Sequence, residues 1–181
     1  MEFISLAENG PVILVPKVFG DERGYFMETF RQNEFERHCG DYAFVQDNQS
    51  LSQRRVLRGL HYQAKHPQGK LVRVIRGKVY DVAVDLRVSS KYFGKYFGVI
   101  LDDVERKSLW IPPGFAHGFY VLSDEAEFVY KCTDYYDPAD ERCLIWNDPT
   151  INVAWPLNGE PPILSAKDEK GTSFNALETY K

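Results

Sequence analysis

Between residues 56 and 87, Val, Leu, Ile and Tyr alternate with polar residues at a two-residue period, the pattern of consecutive β-strands joined by turns. Short extended patterns return at residues 96–101, at Ser108–Ile111, at residues 118–122 and at residues 128–133, where Phe128, Tyr130 and Cys132 share one face. Arg76-Gly77, Ser89-Ser90-Lys91 and Pro112-Pro113-Gly114 punctuate these runs as turns. Gln32–Cys39 is the best helix in the amino-terminal half, with Gly40 as its stop. Many short strands at near-regular spacing predict an all-β sandwich or barrel occupying residues 1–181 as one domain, with few and short helices.

The flanks are less regular. Residues 12–18 are apolar and proline-bounded, which assigns them to an edge or an arm because proline cannot donate to a ladder; such an arm would reach a second subunit. A turn at residues 21–24 leads into a short strand at 25–30, with Phe26, Glu28 and Phe30 on one side. The amides and hydroxyls of residues 46–50 read as a turn, with hydrogen bonding to a substrate as the second reading. A turn is expected at Pro138, and a helix could begin within residues 164–168.

Composition narrows the class. At 44% apolar and 14% aromatic the chain has too much to bury to stay disordered, and a net charge of −4 argues against nucleic acid as a partner. No run approaches the roughly 20 apolar residues that span a bilayer, and residues 1–10 lack the pattern of an export signal. Three cysteines in no close pairing suit a reducing compartment, so the cytoplasm is expected.

Arg58, His61, Lys70 and Arg73 interrupt the central strand pattern. A buried strand face rarely carries a histidine and a lysine without a task for them, and proton transfer beside a ketone on an anionic substrate is one that fits. Gly59 ahead of His61, followed later by Pro113-Gly114-Phe115-Ala116-His117, resembles the two-motif layout of cupin barrels. A metal-binding cupin would place a second histidine two residues after His61, where this chain has Gln63, and a glutamate before Gly77, where it has none. No metal is therefore expected, and His61 is left as an acid or base, a role open to histidine because the free imidazole titrates close to working pH. Strict alternation sends Arg58 and His61 to opposite faces; for both to reach one ligand, a bulge near Gly59 is required.

Five motifs in order carry a more specific likeness: Val56-Leu57-Arg58-Gly59-Leu60-His61-Tyr62-Gln63, Gly69-Lys70-Leu71-Val72-Arg73, Pro112-Pro113-Gly114-Phe115-Ala116-His117-Gly118-Phe119, Tyr130-Lys131-Cys132-Thr133-Asp134-Tyr135-Tyr136 and Leu164-Ser165-Ala166-Lys167-Asp168. Together they resemble the dTDP-4-dehydrorhamnose 3,5-epimerase family, over residues 17–168. The resemblance implies a cupin-like jelly-roll barrel with an amino-terminal arm exchanged between the subunits of a homodimer. It also implies epimerisation of a dTDP-4-keto-6-deoxy sugar at carbons 3 and 5, with no cofactor and no metal.

By match to the motifs, His61 is the base, Asp168 its orienting partner, Tyr130 the proton donor on the opposite face and Lys70 the group that steadies the enolate oxygen. Arg23, Phe26, Glu28, Gln46, Asp47, Asn48, Arg58, His117, Glu141 and Lys167 fall to the binding of nucleotide and sugar. His61 and Tyr130 are then expected to face one another across a cavity wide enough for one hexose ring. The alternatives are an epimerase of one carbon only, a metal-dependent cupin oxygenase and a non-catalytic sugar-binding module.

Overall fold

The computed structural model describes residues 1–181. In chain order the strands are β1 (Glu2–Ser5), β2 (Val12–Val15), β3 (Val18–Asp21), β4 (Gly24–Met27), β5 (Gln46–Gln53), β6 (Leu57–Gln63), β7 (Lys70–Arg76), β8 (Lys78–Asp85), β9 (Tyr96–Asp102), β10 (Ser108–Ile111), β11 (Phe115–Val121), β12 (Glu125–Cys132) and β13 (Glu141–Cys143), with helix α1 (Gln32–Cys39) between β4 and β5. Eleven of the strands build two sheets, one in the order β1-β2-β10-β7-β12-β5 and one in the order β13-β6-β11-β8-β9, while β3 and β4 pair only with each other. Every named pairing is antiparallel. This is an all-β, cupin-like jelly-roll barrel.

The sheets face one another because each presents an apolar stripe. Val72, Val74, Leu109, Ile111, Ala126 and Phe128 come from the first, and Val79, Ala83, Leu101, Phe119 and Val121 from the second. Their outer faces are covered as well. Phe35 of α1, with Phe30 and Phe44, packs on Trp110, Leu71 and Leu14. On the other side Trp155, Phe174 and Tyr180 lie over Leu60, Val82 and Val84. Strands covered on both faces lose their alternation, and β10 and β11 are buried at every position.

The helix occupies its expected span and ends at Gly40, whose φ of +99° belongs to glycine and whose N–H donates to the Glu36 carbonyl. Gly77 joins β7 to β8 as the turn expected there. Three expectations are corrected. Residues 12–18 are no edge strand: β2 lies between β1 and β10, and its prolines, Pro11 and Pro16, stand just outside the ladder where no N–H is missed. Residues 46–50 are no turn but the start of β5, paired along its whole length with β12. The strand at 25–30 stops at Met27, so Phe30 leaves Phe26 and joins the aromatic cluster under α1. Residues 164–168 do lead into helical structure, but only a single 3-10 turn at Asp168–Lys170. No helix is long and apolar enough to cross a membrane.

The interior stripe changes character along the barrel. On β12 it passes from Ala126 and Phe128 to Tyr130 and Cys132, and on β7 from Val74 and Val72 to Lys70. One end is filled with hydrocarbon and the other is lined with polar groups around open space.

Phe35 is 1% exposed, with ring centroids 4.9 Å from Trp110 and 5.2 Å from Phe44. Phe35→Ala is expected to cost about 3–5 kcal/mol, the range for emptying a buried aromatic site. Urea unfolding should show this as a lower midpoint with an unchanged slope.

Candidate active site

The polar end is organised by an irregularity in β6. His61 stands opposite His117 and Arg58 opposite Phe119, so Gly59 and Leu60 on β6 share the single Gly118 on β11. This is the bulge that alternation requires, and it turns both side chains to the same face: His61 lines the cavity, and the exposed Arg58 reaches back so that its Nε donates to Oγ of the buried Ser52 at 2.9 Å. Glycine is needed at the bulge. Gly59 has φ +111°, and a Cβ there would sit 2.6 Å from the His117 carbonyl and 2.7 Å from Gly118 Cα.

Asp168 completes the arrangement from the carboxyl-terminal segment. Its Oδ1 accepts the Gly59 N–H at 3.3 Å and lies 2.6 Å from His61 Nε2, while Oδ2 accepts Ser165 Oγ at 2.7 Å. Burial pushes this carboxyl up, but the hydrogen bonds from His61 and Ser165 outweigh burial and hold it below the ordinary aspartate value. An ionised carboxylate can only accept, so Nε2 carries the shared proton, and Nδ1 of the neutral ring offers its lone pair as the basic face. Nδ1 lies 3.9 Å from Glu141 Oε1, a group that lines the cavity.

That cavity, of about 320 Å³, is also lined by Gln46, Asn48, Gln63, Gln68, Lys70, Tyr130, Cys132 and Tyr136. His61 enters it from one sheet and Tyr130 from the other. Burial raises the Tyr130 phenol, which favours its protonated form. Burial pulls the Lys70 ammonium below the ordinary lysine value, opposed by Cys132 and by the carboxylates of Glu141 and Asp81. At the rim, burial raises the Glu141 carboxyl, but hydrogen bonds from Lys167 and Tyr136 bring it below its ordinary value. The Tyr136 phenol, donating to Glu141 at 2.7 Å, is pushed up to about 12. Deeper inside, His117 Nε2 lies 2.9 and 3.0 Å from the two oxygens of Asp81, both residues being buried.

The fold thus gathers His61, Lys70, Tyr130, Asp168, Gln46, Asn48, Arg58, His117, Glu141 and Lys167 at one end of the barrel. Four expected binding residues do not join them in this chain. Asp47 points outward to Lys131, beside a second cavity of about 400 Å³ on the outer face of the six-stranded sheet, because its neighbours Gln46 and Asn48 take the inward positions of β5. Arg23 pairs with Asp21 at the tip of the β3–β4 hairpin, Phe26 is 70% exposed on it, and Glu28 is held by Arg31. Two contributors, Gln63 and Asp81, were missed, and Cys143 stands beside His61 without lining the cavity. Gln63, buried, donates to the carbonyls of His66 and Tyr135 and accepts the Asp137 N–H, fastening two loops around the cavity; its position two residues after His61 was the available signal. Asp81 and Cys143 carried none, being joined to their partners only by pairing between distant strands. Burial pushes the Cys143 thiol up to about 12.

A family model described as dTDP-4-dehydrorhamnose 3,5-epimerase matches residues 6–176. A dTDP-4-dehydrorhamnose 3,5-epimerase of Pseudomonas aeruginosa is 51% identical over 181 residues, covering 99% of each chain. A Neisseria gonorrhoeae protein of the same name is 54% identical over 178 residues, 98% of this chain but 54% of that one, so this chain spans about half of the gonococcal length. Among solved structures, a dTDP-6-deoxy-D-glucose-3,5-epimerase of Legionella pneumophila in complex with dTDP-4-keto-L-rhamnose aligns with a TM-score of 0.93 at 49% identity, over 97% of this chain and 94% of that one.

The depressed Asp168 carboxyl stabilises the fold at any pH above its unfolded value near 3.8, and that stabilisation is lost as the pH falls through the lower folded value. Asp168→Asn is expected to cost about 1–3 kcal/mol at neutral pH, the cost of breaking up a buried hydrogen-bonded group. The gap to the parent should narrow as unfolding is repeated in increasing acid below pH 3.8. A gap independent of pH would mean that the carboxylate charge contributes nothing.

Proposed function

The chain belongs to the dTDP-4-dehydrorhamnose 3,5-epimerase family, and on that premise we propose that it converts dTDP-4-dehydro-6-deoxy-D-glucose to dTDP-4-dehydro-L-rhamnose, a step of dTDP-L-rhamnose synthesis. The observation that carries the reading is the 2.6 Å contact of His61 with Asp168 in a cavity that Tyr130 lines from the opposite sheet.

The substrate's ketone at carbon 4 acidifies the hydrogens on carbons 3 and 5. His61 Nδ1 removes one of them, and Asp168 keeps the ring oriented with the other nitrogen protonated. The electron pair left on carbon moves to the ketone oxygen, and Lys70 steadies that enolate by charge, the kind of contribution that is usually largest in such reactions. Tyr130 then delivers a proton to the same carbon from the opposite face, inverting it. Loss of the abstracted proton from His61 to solvent and uptake of one by Tyr130 restore both groups, and the cycle repeats at the second carbon.

Arg58 and Lys167 supply positive charge for the diphosphate, while Gln46, Asn48, His117 and Glu141 bond the sugar and nucleotide. Arg23, Phe26 and Glu28 serve a second subunit. The hairpin that carries Arg23 and Phe26 is exposed at every position but Met27, Glu28 follows directly after it, and Phe19, Tyr25 and Phe26 are 54%, 58% and 70% exposed, a clustered apolar surface that suits a partner. The enzyme acts as a homodimer in which each hairpin reaches its partner's cavity, with Asp47 near that contact. The three cysteines are unpaired, which suits the reducing cytoplasm where nucleotide sugars are made.

Turnover in deuterated water is expected to place deuterium at both carbon 3 and carbon 5; label at one carbon only would assign the chain to single-carbon epimerases. His61→Ala should lower turnover by roughly 10²- to 10⁴-fold, the usual worth of a general base, with dTDP affinity retained. Tyr130→Phe should keep proton exchange while losing inverted product, and equal loss of both would remove Tyr130 as the donor.

A further inference from the structure

Cys143 takes no part in the proton transfers, yet β13 seats it opposite His61. One donor atom from each of His61, Cys143 and Asp168 lies within 4.8 Å of the other two. The set is a nitrogen, a sulfur and a carboxylate oxygen, the three donor types that zinc accepts in tetrahedral sites. Zinc bonds of about 2.0–2.3 Å hold neighbouring ligand atoms roughly 3–4 Å apart, so side-chain rotations alone bring this triangle to size. The His61–Asp168 pair, at 2.6 Å, opens to admit the ion between its partners.

We propose that His61, Cys143 and Asp168 form an inhibitory binding site for a zinc-class divalent cation, its fourth position open to water from the cavity. Binding releases the Cys143 thiol proton to solvent, and the thiolate, the imidazole nitrogen and the Asp168 carboxylate each supply an electron pair to the ion. Either imidazole nitrogen gives the same outcome. An ion on Nδ1 consumes the lone pair that would abstract the substrate proton. An ion on Nε2, between the ring and Asp168, leaves the neutral ring's proton on Nδ1, where it caps that lone pair. Glu141, 3.9 Å from Nδ1, adds negative charge at the mouth, while Lys167, held on Glu141, is the opposing cation at the rim. Substrate and metal therefore exclude one another at a single histidine. The inhibitory sign rests on His61 being the base of the proposed epimerisation; the coordination itself does not.

The test titrates the whole chain with Zn²⁺ in a metal buffer while following both binding and epimerisation. One equivalent is expected to bind, turnover is expected to fall in step with occupancy, and a chelator should restore it. Co²⁺ in place of Zn²⁺ should show thiolate-to-metal charge-transfer absorption. Cys143→Ser and, as a second variant, Cys143→Ala should keep the parent's kcat and KM, lose the cobalt band and raise the half-inhibiting zinc concentration at least tenfold, since even partners outside the ligand set are worth about 10- to 100-fold in affinity. Undiminished zinc sensitivity in a folded Cys143 variant, or a stoichiometric wild-type cobalt complex without thiolate absorption, would overturn the site. Normal epimerisation with no zinc bound would overturn this inference alone. Zinc bound through Cys143 that raises turnover would overturn the inhibitory role and the metal-free mechanism together.

Discussion

The carboxylate of Asp168 accepts hydrogen bonds from a backbone N–H released by a strand irregularity, from an imidazole on that same strand and from a hydroxyl three residues away on its own segment. These contacts are interdependent. The bulge at Gly59 turns Arg58 and His61 to one side of β6, and it leaves the Gly59 N–H without a ladder partner. Buried N–H groups must be satisfied, and a carboxylate is a strong acceptor for one. The group that completes the bulge is thus also the group that orients His61, so the geometry of the sheet and the tautomer of the histidine are fixed by one interaction.

The barrel makes this arrangement possible by dividing its interior. Valine, leucine and phenylalanine fill one end and supply the hydrophobic stabilisation. At the other end the same stripes change to lysine, tyrosine and histidine, whose burial is tolerable because neighbouring charges and hydrogen bonds compensate it. Lys70 and Tyr130 illustrate the two directions: desolvation works against the charged form of each, lowering the ammonium and raising the phenol, and at Lys70 the Glu141 and Asp81 carboxylates oppose it. The buried pair of His117 and Asp81 shows how far the polar region reaches below the cavity.

Much of this was legible in the chain. The α1 span, the Gly77 turn, the inward face of β12 and the need for a bulge at Gly59 follow from local rules, because glycine, periodicity and parity act over a few residues. β5 was not legible: its inward stripe of Gln46, Asn48, Ser50 and Ser52 is polar throughout, the first two lining the cavity, so the apolar alternation that marks a strand is missing. β2 was misjudged since proline beside a strand and proline within one look alike until the register is known. The neighbourhood of His61, Cys143 and Asp168 depends on strand pairing and on a segment that crosses the barrel, and neither leaves a trace in local spacing. Motif likeness pointed to His61 and Asp168 as partners, a pairing that composition and periodicity alone would not have made and that their 2.6 Å contact shows.

Asp168 follows every strand of the barrel along the chain, and the segment that carries it packs over the outside of the five-stranded sheet. Synthesis from the ribosome therefore delivers the whole set of hydrogen-bonded strands before it delivers the residue that orients His61. The strands and the carboxylate that orients His61 are thus divided along the chain, and the last part to be made both covers the outer face of the sheet and completes the bulge beneath it.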